Sequence, residues 1–356
     1  MSDKPTVTLT NEKVQLLFDT ISVFEDKKII KKIKRYNKGC INSVWQVDCE
    51  NNDQYVLKVI TPLKKWKGIK TLNEATSYEY AKAKTTCKLP NIYSYDATTN
   101  NALSQEYILM EKVQGTILES VWNKISNEKR KIVIDQIALL VSQLQEEEFT
   151  QMGSIRQESK EKFVIDRFVD TGKGPYNNSS EFYYDLFTEK KKLFQKDERL
   201  ESFAGAFENF YDLYFSKLEP FTKFRFGHHD LNLQNIFVDP ANNYKITGVI
   251  DWEWSCPFIP DSIFMEDDLW CDLEGSDQEI IKDYFHNQLL KLGISKSPLW
   301  NDYQILNTFD DMSMGLTSYN WWFDDKIKGE KFFQEKFKQF IIFIKEHNFI
   351  NKIENK

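Results

Sequence analysis

The stretch His228-His229-Asp230-Leu231-Asn232-Leu233-Gln234-Asn235, together with the segment running on to Asp251, constrains this chain more than any other feature. Asn235-Ile236-Phe237-Val238-Asp239 reads as a short strand and Asp239-Pro240-Ala241-Asn242-Asn243 as a turn; Tyr244-Lys245-Ile246-Thr247-Gly248-Val249-Ile250 reads as a returning strand. Such a hairpin carries Asp251 back beside Asn235. Asp230 and Asn235 are five apart, which suits one loop presenting both side chains to one cavity. An Asp, an Asn and a second Asp are the parts that phosphoryl transfer uses: one orients and deprotonates a hydroxyl, and two hold Mg²⁺. Asp-Pro and Asn-Asn are also ordinary turn chemistry. The reading therefore turns on whether the partners this chemistry needs occur upstream.

Lys58 is the sharpest of them. It sits in Tyr55-Val56-Leu57-Lys58-Val59-Ile60, inside an apolar strand where an unpaired ammonium is costly. It needs an acid, unless the strand lies at an edge and the lysine snorkels to water. The helix expected over 71–85 offers Glu74 and Glu79, whose spacing of five keeps them off a shared face. Ahead of it, residues 35–47 read as strand, glycine turn and strand. That segment holds Gly39 and Ser43, and its backbone N–H groups can lie over a nucleotide's phosphates. With a single glycine, it also reads as an ordinary hairpin turn.

The remaining chain sorts into a strand-rich start and a helical remainder. Residues 10–22 form an amphipathic pattern with Thr10 as cap. The basic run 27–35, interleaved with isoleucines, reads as the solvated face of a half-exposed element. Strands are expected near 89–95 and 105–111, then a connector at 112–115. Helices are expected at 116–124, 127–147, 179–195, 200–217, 277–292, 298–320 and 329–347. The pattern predicts an α+β, bilobal, protein-kinase-like fold. Residues 1–111 would form a small β-rich lobe and 112–356 a large, mainly helical one. The cleft would lie at 111–115, closed by 36–45.

Composition narrows the classes. Apolar residues at 41% and aromatics at 15% exclude a disordered chain. A net charge of −7 argues against a nucleic-acid-binding surface. The five cysteines, Cys40, Cys49, Cys87, Cys256 and Cys271, form no C-x-x-C pair, so neither a disulfide framework nor a zinc ribbon is expected. The N-terminal Met1-Ser2-Asp3-Lys4-Pro5 lacks an apolar signal core. No run approaches the ~20 residues of a membrane span. A cytoplasmic protein is expected.

From about residue 33 to at least 262 the chain resembles the aminoglycoside phosphotransferase family. The carrying motifs are the His228–Asn235 loop, Val249-Ile250-Asp251-Trp252-Glu253-Trp254, Asn73-Glu74-Ala75-Thr76, Tyr107–Gly115, Gln151-Met152-Gly153-Ser154-Ile155 and Gly174-Pro175-Tyr176. The last two, and the I-D-W-E run, are similar to its eukaryotic, especially fungal, branch. The resemblance implies a protein-kinase-like fold and phosphorylation of small molecules, with ATP or alternatively GTP as donor and Mg²⁺ as cofactor. It implies Asp230 as catalytic base, Asn235 and Asp251 as Mg²⁺ ligands, and Lys58 as phosphate contact oriented by Glu74 rather than Glu79. The backbone at Glu111 and Val113 would meet the adenine edge, and His228 would be a structural hydrogen-bonder. His229 departs from the family, where a small residue is commoner. Its side chain would contact substrate, perturb Asp230 or face solvent.

The acids Glu266, Asp267, Asp268, Asp272, Glu274, Asp310, Asp311, Asp324 and Asp325, interspersed with Trp270, Trp321 and Trp322, suit a cationic acceptor or form a solvated face over core tryptophans. The expected partners are nucleotide and a small hydroxyl acceptor, with no nucleic acid and no membrane span. A protein kinase is disfavoured by the missing D-F-G and A-P-E segments. The rival from another class is a pseudokinase, a nucleotide-binding or scaffold module without turnover.

Overall fold

The computed structural model describes residues 8–36, 42–60, 66–159, 162–265, 276–322 and 326–349. Helix α1 (Asn11–Phe18) is capped by Thr10, whose hydroxyl accepts from the Lys13 amide at 3.3 Å. It ends at Phe18 rather than near 22, where the Thr20 hydroxyl turns back to donate to the Leu17 carbonyl. Strands β1 (Ile30–Arg35), β2 (Ser43–Cys49) and β3 (Gln54–Val59) come next, then helix α2 (Ile69–Lys84), β4 (Ile92–Asp96) and β5 (Tyr107–Glu111). The five strands form one antiparallel sheet in the order β1-β2-β3-β5-β4.

The expected alternation on β2 holds. Trp45, Val47 and Cys49 are buried, while Val44, Gln46 and Asp48 face outward. With Leu57, Tyr107 and Leu109 they form a core that the apolar stripe of α1 (Val14, Leu17, Phe18) covers. The lysines of β1 lie on the outer face, in keeping with the solvated reading of the basic run. Lys58 is on the interior strand β3, not at an edge, so its ammonium has no short path to water.

Beyond the sheet come β6 (Thr116–Ile117), α3 (Glu119–Trp122), α4 (Asn127–Leu144), β7 (Glu148–Phe149) and the hairpin β8 (Ser154–Ser159)–β9 (Lys162–Asp166). The chain continues through α5 (Ser179–Phe194), α6 (Gly205–Leu213), β10 (Phe224–Gly227), β11 (Ile236–Asp239), β12 (Lys245–Val249), β13 (Cys256–Phe258), α7 (Ser276–Lys291), α8 (Trp300–Trp322) and α9 (Lys326–Glu346). Two three-stranded sheets hold the central part, ordered β13-β10-β7 and β12-β11-β6.

The helix expected over 116–124 is divided, because Thr116 and Ile117 pair with Val238 and Phe237. The one expected over 200–217 is α6 between two single 3₁₀ turns. Strands β7–β10 and β13 have no counterpart in the sequence expectation. Pro257 in β13 is tolerated because that strand is a sheet edge.

The chain forms two compact units: residues 1–175 with 223–295, and 176–222 with 296–356. The first holds every described strand, with α1–α4 and α7. The second is α5, α6, α8 and α9 around a phenylalanine core, in which Phe210 stacks on Phe309 at 4.1 Å. The expected α+β class holds.

Candidate active site

The loop after β10 is built on two histidines. The Asp230 amide donates to His228 Nδ1 at 3.2 Å, so that nitrogen is an acceptor and the proton sits on Nε2. Nε2–H then donates to the Ile250 carbonyl at 3.0 Å. Burial drives the His228 pKa down to about 3, keeping the ring neutral. His228 is thus the structural link between the loop and the strand that precedes Asp251.

His229 adopts φ +59°, and its ring folds back over Gly227, where a Cβ would stand 2.8 Å from it. The ring lies 3.1 Å from the Cys256 carbonyl through Nε2 and packs edge-on against Phe258. The alternative of a solvent-facing side chain is therefore corrected: the imidazole is turned inward and serves packing. Burial lowers its pKa to about 4. A histidine with a depressed folded pKa contributes stability that is present above 6.5 and lost as pH falls towards 4. Wild-type Tm should therefore fall across that window. His229→Asn, which also tolerates positive φ, should show a shallower fall when Tm is followed against pH.

Asp230 is held on both oxygens. Oδ1 accepts from Asn232 Nδ2 and Oδ2 from Asn235 Nδ2, each at 3.0 Å, and Asn235 Nδ2 also reaches the Asp230 carbonyl at 2.8 Å. Burial first, then the charge of Asp251, pushes the Asp230 carboxyl up to about 7, while Asn235 opposes the shift. The β11–β12 hairpin does what its sequence predicts. Ile236 pairs with Val249, the Ile250 amide donates to Asn235 O at 2.9 Å, and Asp251 emerges beside Asn235. Asp251 takes a left-handed conformation (φ +68°), and its amide donates to the Tyr78 hydroxyl at 3.1 Å.

Lys58 gathers three carboxylates. Its Nζ lies 2.7 Å from Glu74 Oε2, 2.6 Å from Asp251 Oδ1 and 2.9 Å from Glu253 Oε2. Burial disfavours the ammonium, but Asp251, Glu253 and Glu74 outweigh it and hold the Lys58 pKa well above its ordinary value. Glu74 is fully buried. Glu79 turns away to Lys82 at 3.7 Å, and Glu74 is the acid of this helix that pairs with Lys58.

Glu253 is the member that sequence reasoning missed. It is 3 % exposed and bridges Lys58 to Lys70, whose Nζ is 2.8 Å from its Oε1. Asn42 Nδ2 donates to its Oε2 at 2.6 Å. Lys70 is itself fully buried, with Nζ 4.6 Å and 5.0 Å from the ring centres of Trp66 and Trp254. Asn73, next to Glu74, donates to the carbonyls of Glu253 and Ser255 and accepts from the Ile155 amide. This stitches α2 to the turn after Asp251. The available signal was the second acid in Asp251-Trp252-Glu253.

The other expected residues are less central. Ser43 is buried and its hydroxyl accepts from Arg35 at 3.2 Å. Gly39 lies outside the described residues. The Glu111 amide is already committed to the Asn91 carbonyl at 2.8 Å, and its carboxylate takes two bonds from Asn91. Val113 packs over Gly248, where a Cβ would stand 2.6 Å from Val113 Cγ1. Gly115 (φ +120°) would place a Cβ 2.6 Å from both the Val238 carbonyl and Thr247 Oγ1. Gly115→Ala should therefore lower stability by at least about 1–3 kcal/mol, read as a loss of Tm.

Asp310 and Asp311 are paired with Lys190 and Lys336, so neither stands as an open carboxylate. Trp321 and Trp322 close α8, while Trp270, the acids of 266–274, Asp324 and Asp325 lie outside the described residues.

The donor chemistry suits a hard divalent cation. Carboxylate oxygens of Glu74, Asp251 and Glu253 lie within 4.8 Å of one another. No described helix is long and apolar enough to cross a membrane.

Comparison with known proteins bears on the family and the fold. Residues 32–260 match the sequence profile of the phosphotransferase enzyme family. A subtelomeric hrmA-associated cluster protein of Aspergillus fumigatus is 26% identical over 123 residues, covering 35% of this chain and 24% of that protein. A Komagataella phaffii protein named altered inheritance of mitochondria protein 9, mitochondrial, is 27% identical over 148 residues, covering 38% and 24%. The chain thus matches only about a quarter of the length of these relatives.

Among solved structures, the streptomycin–ATP ternary complex of APH(2″)-IIa superposes with a TM-score of 0.58 at 17% identity, over 94% of this chain and 97% of that one. The GDP and kanamycin complex of APH(2″)-IIIa gives 0.60 at 14% identity, over 94% and 98%. At such identities the likeness speaks for the fold. With the profile match spanning most of the chain, this protein belongs to the phosphotransferase enzyme family, on the protein-kinase-like α+β fold of the aminoglycoside phosphotransferases.

Proposed function

We propose that the chain transfers the γ-phosphate of ATP, with GTP as the alternative donor, to a hydroxyl of a small molecule. One observation carries this reading. A buried lysine tied to a helix glutamate meets Asp251 one hairpin away from a paired Asp230 and Asn235. In this scheme Asp230 takes the proton of the acceptor hydroxyl as the oxygen–γ-phosphorus bond forms. The bond from γ-phosphorus to the bridging oxygen breaks, and its electron pair leaves with the nucleoside diphosphate. Lys58, steadied by Glu74, offsets phosphate charge. Asn235 and Asp251 are the ligands that would hold Mg²⁺, which neutralises the triphosphate when bound. Residues 1–111 would cover the nucleotide with Ser43 and Gly39 near its phosphates. Residues 112–356 would supply the hinge, loop and acceptor side, with adenine against the backbone of Glu111 and Val113. Most of the acceleration would come from positioning and electrostatics.

A cationic acceptor suits the net charge of −7, so amino-alcohols and aminoglycosides lead the test panel, with sugars after them. Mg²⁺-ATP turnover across that panel should give acceptor-dependent ADP release. Nucleotide binding with no acceptor raising ADP release in any class would favour the scaffold reading. The thiols of Cys49, Cys87 and Cys256 are free, which suits a reducing compartment such as the cytosol.

A further inference from the structure

The peptide that carries Asp251 is held at both ends. The Asp251 amide donates to the Tyr78 hydroxyl at 3.1 Å. The carbonyl of the same peptide bond, that of Ile250, accepts from His228 Nε2 at 3.0 Å. His228 belongs to the loop of Asp230, whereas Tyr78 belongs to α2, the helix of Glu74. The Tyr78 side of this clamp takes no part in the chemistry proposed above.

Two observations separate Tyr78 from an ordinary core tyrosine. The first is what its hydroxyl touches. The side chain is fully buried, and among the described residues the hydroxyl meets the Asp251 amide and Met110 Sδ, a weak acceptor 4.0 Å away. A phenylalanine would fill the same space beside Trp252, whose ring centre is 6.1 Å off, and would bring no polar atom into the core. The hydroxyl therefore answers the amide. The second observation is what that amide belongs to. Asp251 takes φ +68° and ψ +55°, a left-handed conformation that residues with a Cβ disfavour, and from it Oδ1 comes to 2.6 Å from Lys58 Nζ. Such a conformation persists where its surroundings over-determine it, as the clamped peptide does here. Glu74 and Tyr78 are four apart on α2 and share a face. One helix face thus sets the Lys58 ammonium through Glu74 and the Asp251 main chain through Tyr78.

We propose that Tyr78 is a positioning residue for Asp251: its hydroxyl fixes the peptide from which that carboxylate reaches the metal, in register with Lys58. The role rests on the reading of Asp251 as an Mg²⁺ ligand. Removing a group that orients a ligand typically weakens metal binding about 10–100-fold. Without the hydroxyl the Asp251 amide loses its acceptor, and the left-handed conformation loses one of its two restraints. The effect falls on the metal-dependent part of nucleotide binding and leaves the metal-free part alone.

The test compares the full chain with Tyr78→Phe, which keeps the ring and loses the hydroxyl, and with Tyr78→Leu, which loses both. A non-hydrolysable ATP analogue would be titrated calorimetrically into each, in EDTA and in saturating Mg²⁺. Wild type should bind it more tightly in Mg²⁺. That gain should shrink about 10-fold, or vanish, in both variants, with affinity in EDTA kept within about twofold. Tm should stay level in Tyr78→Phe and fall in Tyr78→Leu, where a cavity opens beside Trp252. A merely structural tyrosine would instead keep the Mg²⁺ gain in Tyr78→Phe and lose it only along with Tm. Hydrogen exchange supplies a readout free of metal and turnover. The Asp251 amide should exchange about 10-fold faster in Tyr78→Phe. The Ile250 amide, which donates to the Asn235 carbonyl, should keep its rate. An equal Mg²⁺ gain in wild type and Tyr78→Phe would overturn the proposal. So would a wild-type Asp251 amide that exchanges as fast as in an open chain, a result that needs neither variant to fold. A wild type with no Mg²⁺ gain would fail the metal assignment itself, and the positioning role with it.

Discussion

Asp230→Asn should reduce turnover about 10²–10⁴-fold while leaving the fold and nucleotide affinity intact. The substitution keeps the shape and changes one chemical property, the capacity to take a proton. Asp230 accepts from Asn232 on one oxygen and from Asn235 on the other, so an amide there can satisfy one of the two and must face the other with its NH₂. That lost bond weakens the loop by about 1 kcal/mol. A second effect opposes it. Burial and the charge of Asp251 push the Asp230 carboxyl up to about 7, so above that pH the folded chain holds a carboxylate its surroundings disfavour. A neutral side chain removes that penalty, and Tm should stay level or rise. The combination is diagnostic: activity lost, Tm kept, nucleotide still bound by calorimetry. Turnover within about fivefold of wild type would remove Asp230 from the role of base.

The parts of the site that are legible in the sequence share a property: their signal is local. Lys58 stands out because its neighbours are apolar, and burial on β3 is what makes its charge informative. The β11–β12 hairpin can be drawn because a turn rich in Asp, Pro and Asn joins two short apolar runs, and it delivers Asp251 to Asn235 as expected. Choosing Glu74 over Glu79 requires the family resemblance, since both are helix acids of like spacing from the strand. Only the packing of α2, which buries one and exposes the other, separates them.

The hidden parts depend on contacts distant along the chain. Glu253 acquires its role from Lys58, Lys70 and Asn42, each on another element, and the helix expected from the sequence begins only after Lys70. A lysine between Trp66 and Trp254 has no sequence spacing that marks it. Strands β7, β10 and β13 are two to four residues long and exist because Arg225 is flanked by Glu148 and Phe258. Thr116 and Ile117 likewise carry helix-compatible neighbours but are claimed by β11. The inward turn of His229 comes from its positive φ and the missing side chain at Gly227, a backbone fact that residue types alone do not state.

Lys58→Met should be the most destabilising change in this region, because it removes the cation and keeps its anions. Methionine matches the lysine stem in length and polarisability, so the strand core is preserved. Carboxylate oxygens of Glu74, Asp251 and Glu253 then stand within 4.8 Å of one another, with Lys70 left to pair with Glu253 alone. Breaking a buried pair on one side typically costs about 3–5 kcal/mol, against nearly nothing for removing both sides. At about 2–4 °C per kcal/mol the expected fall in Tm is about 6–20 °C. The same physics predicts two further responses. Glu74→Gln added to Lys58→Met should recover a large part of the loss, a coupling that a double-mutant cycle reads directly. Mg²⁺ or Ca²⁺ at millimolar concentration should raise the Tm of Lys58→Met more than that of wild type, since three carboxylates without their ammonium form a hard-cation site. Turnover should fall as well, because the residue that offsets phosphate charge is gone. A Tm change below about 2 °C, with neither response, would mean that the lysine is not what holds the three acids together.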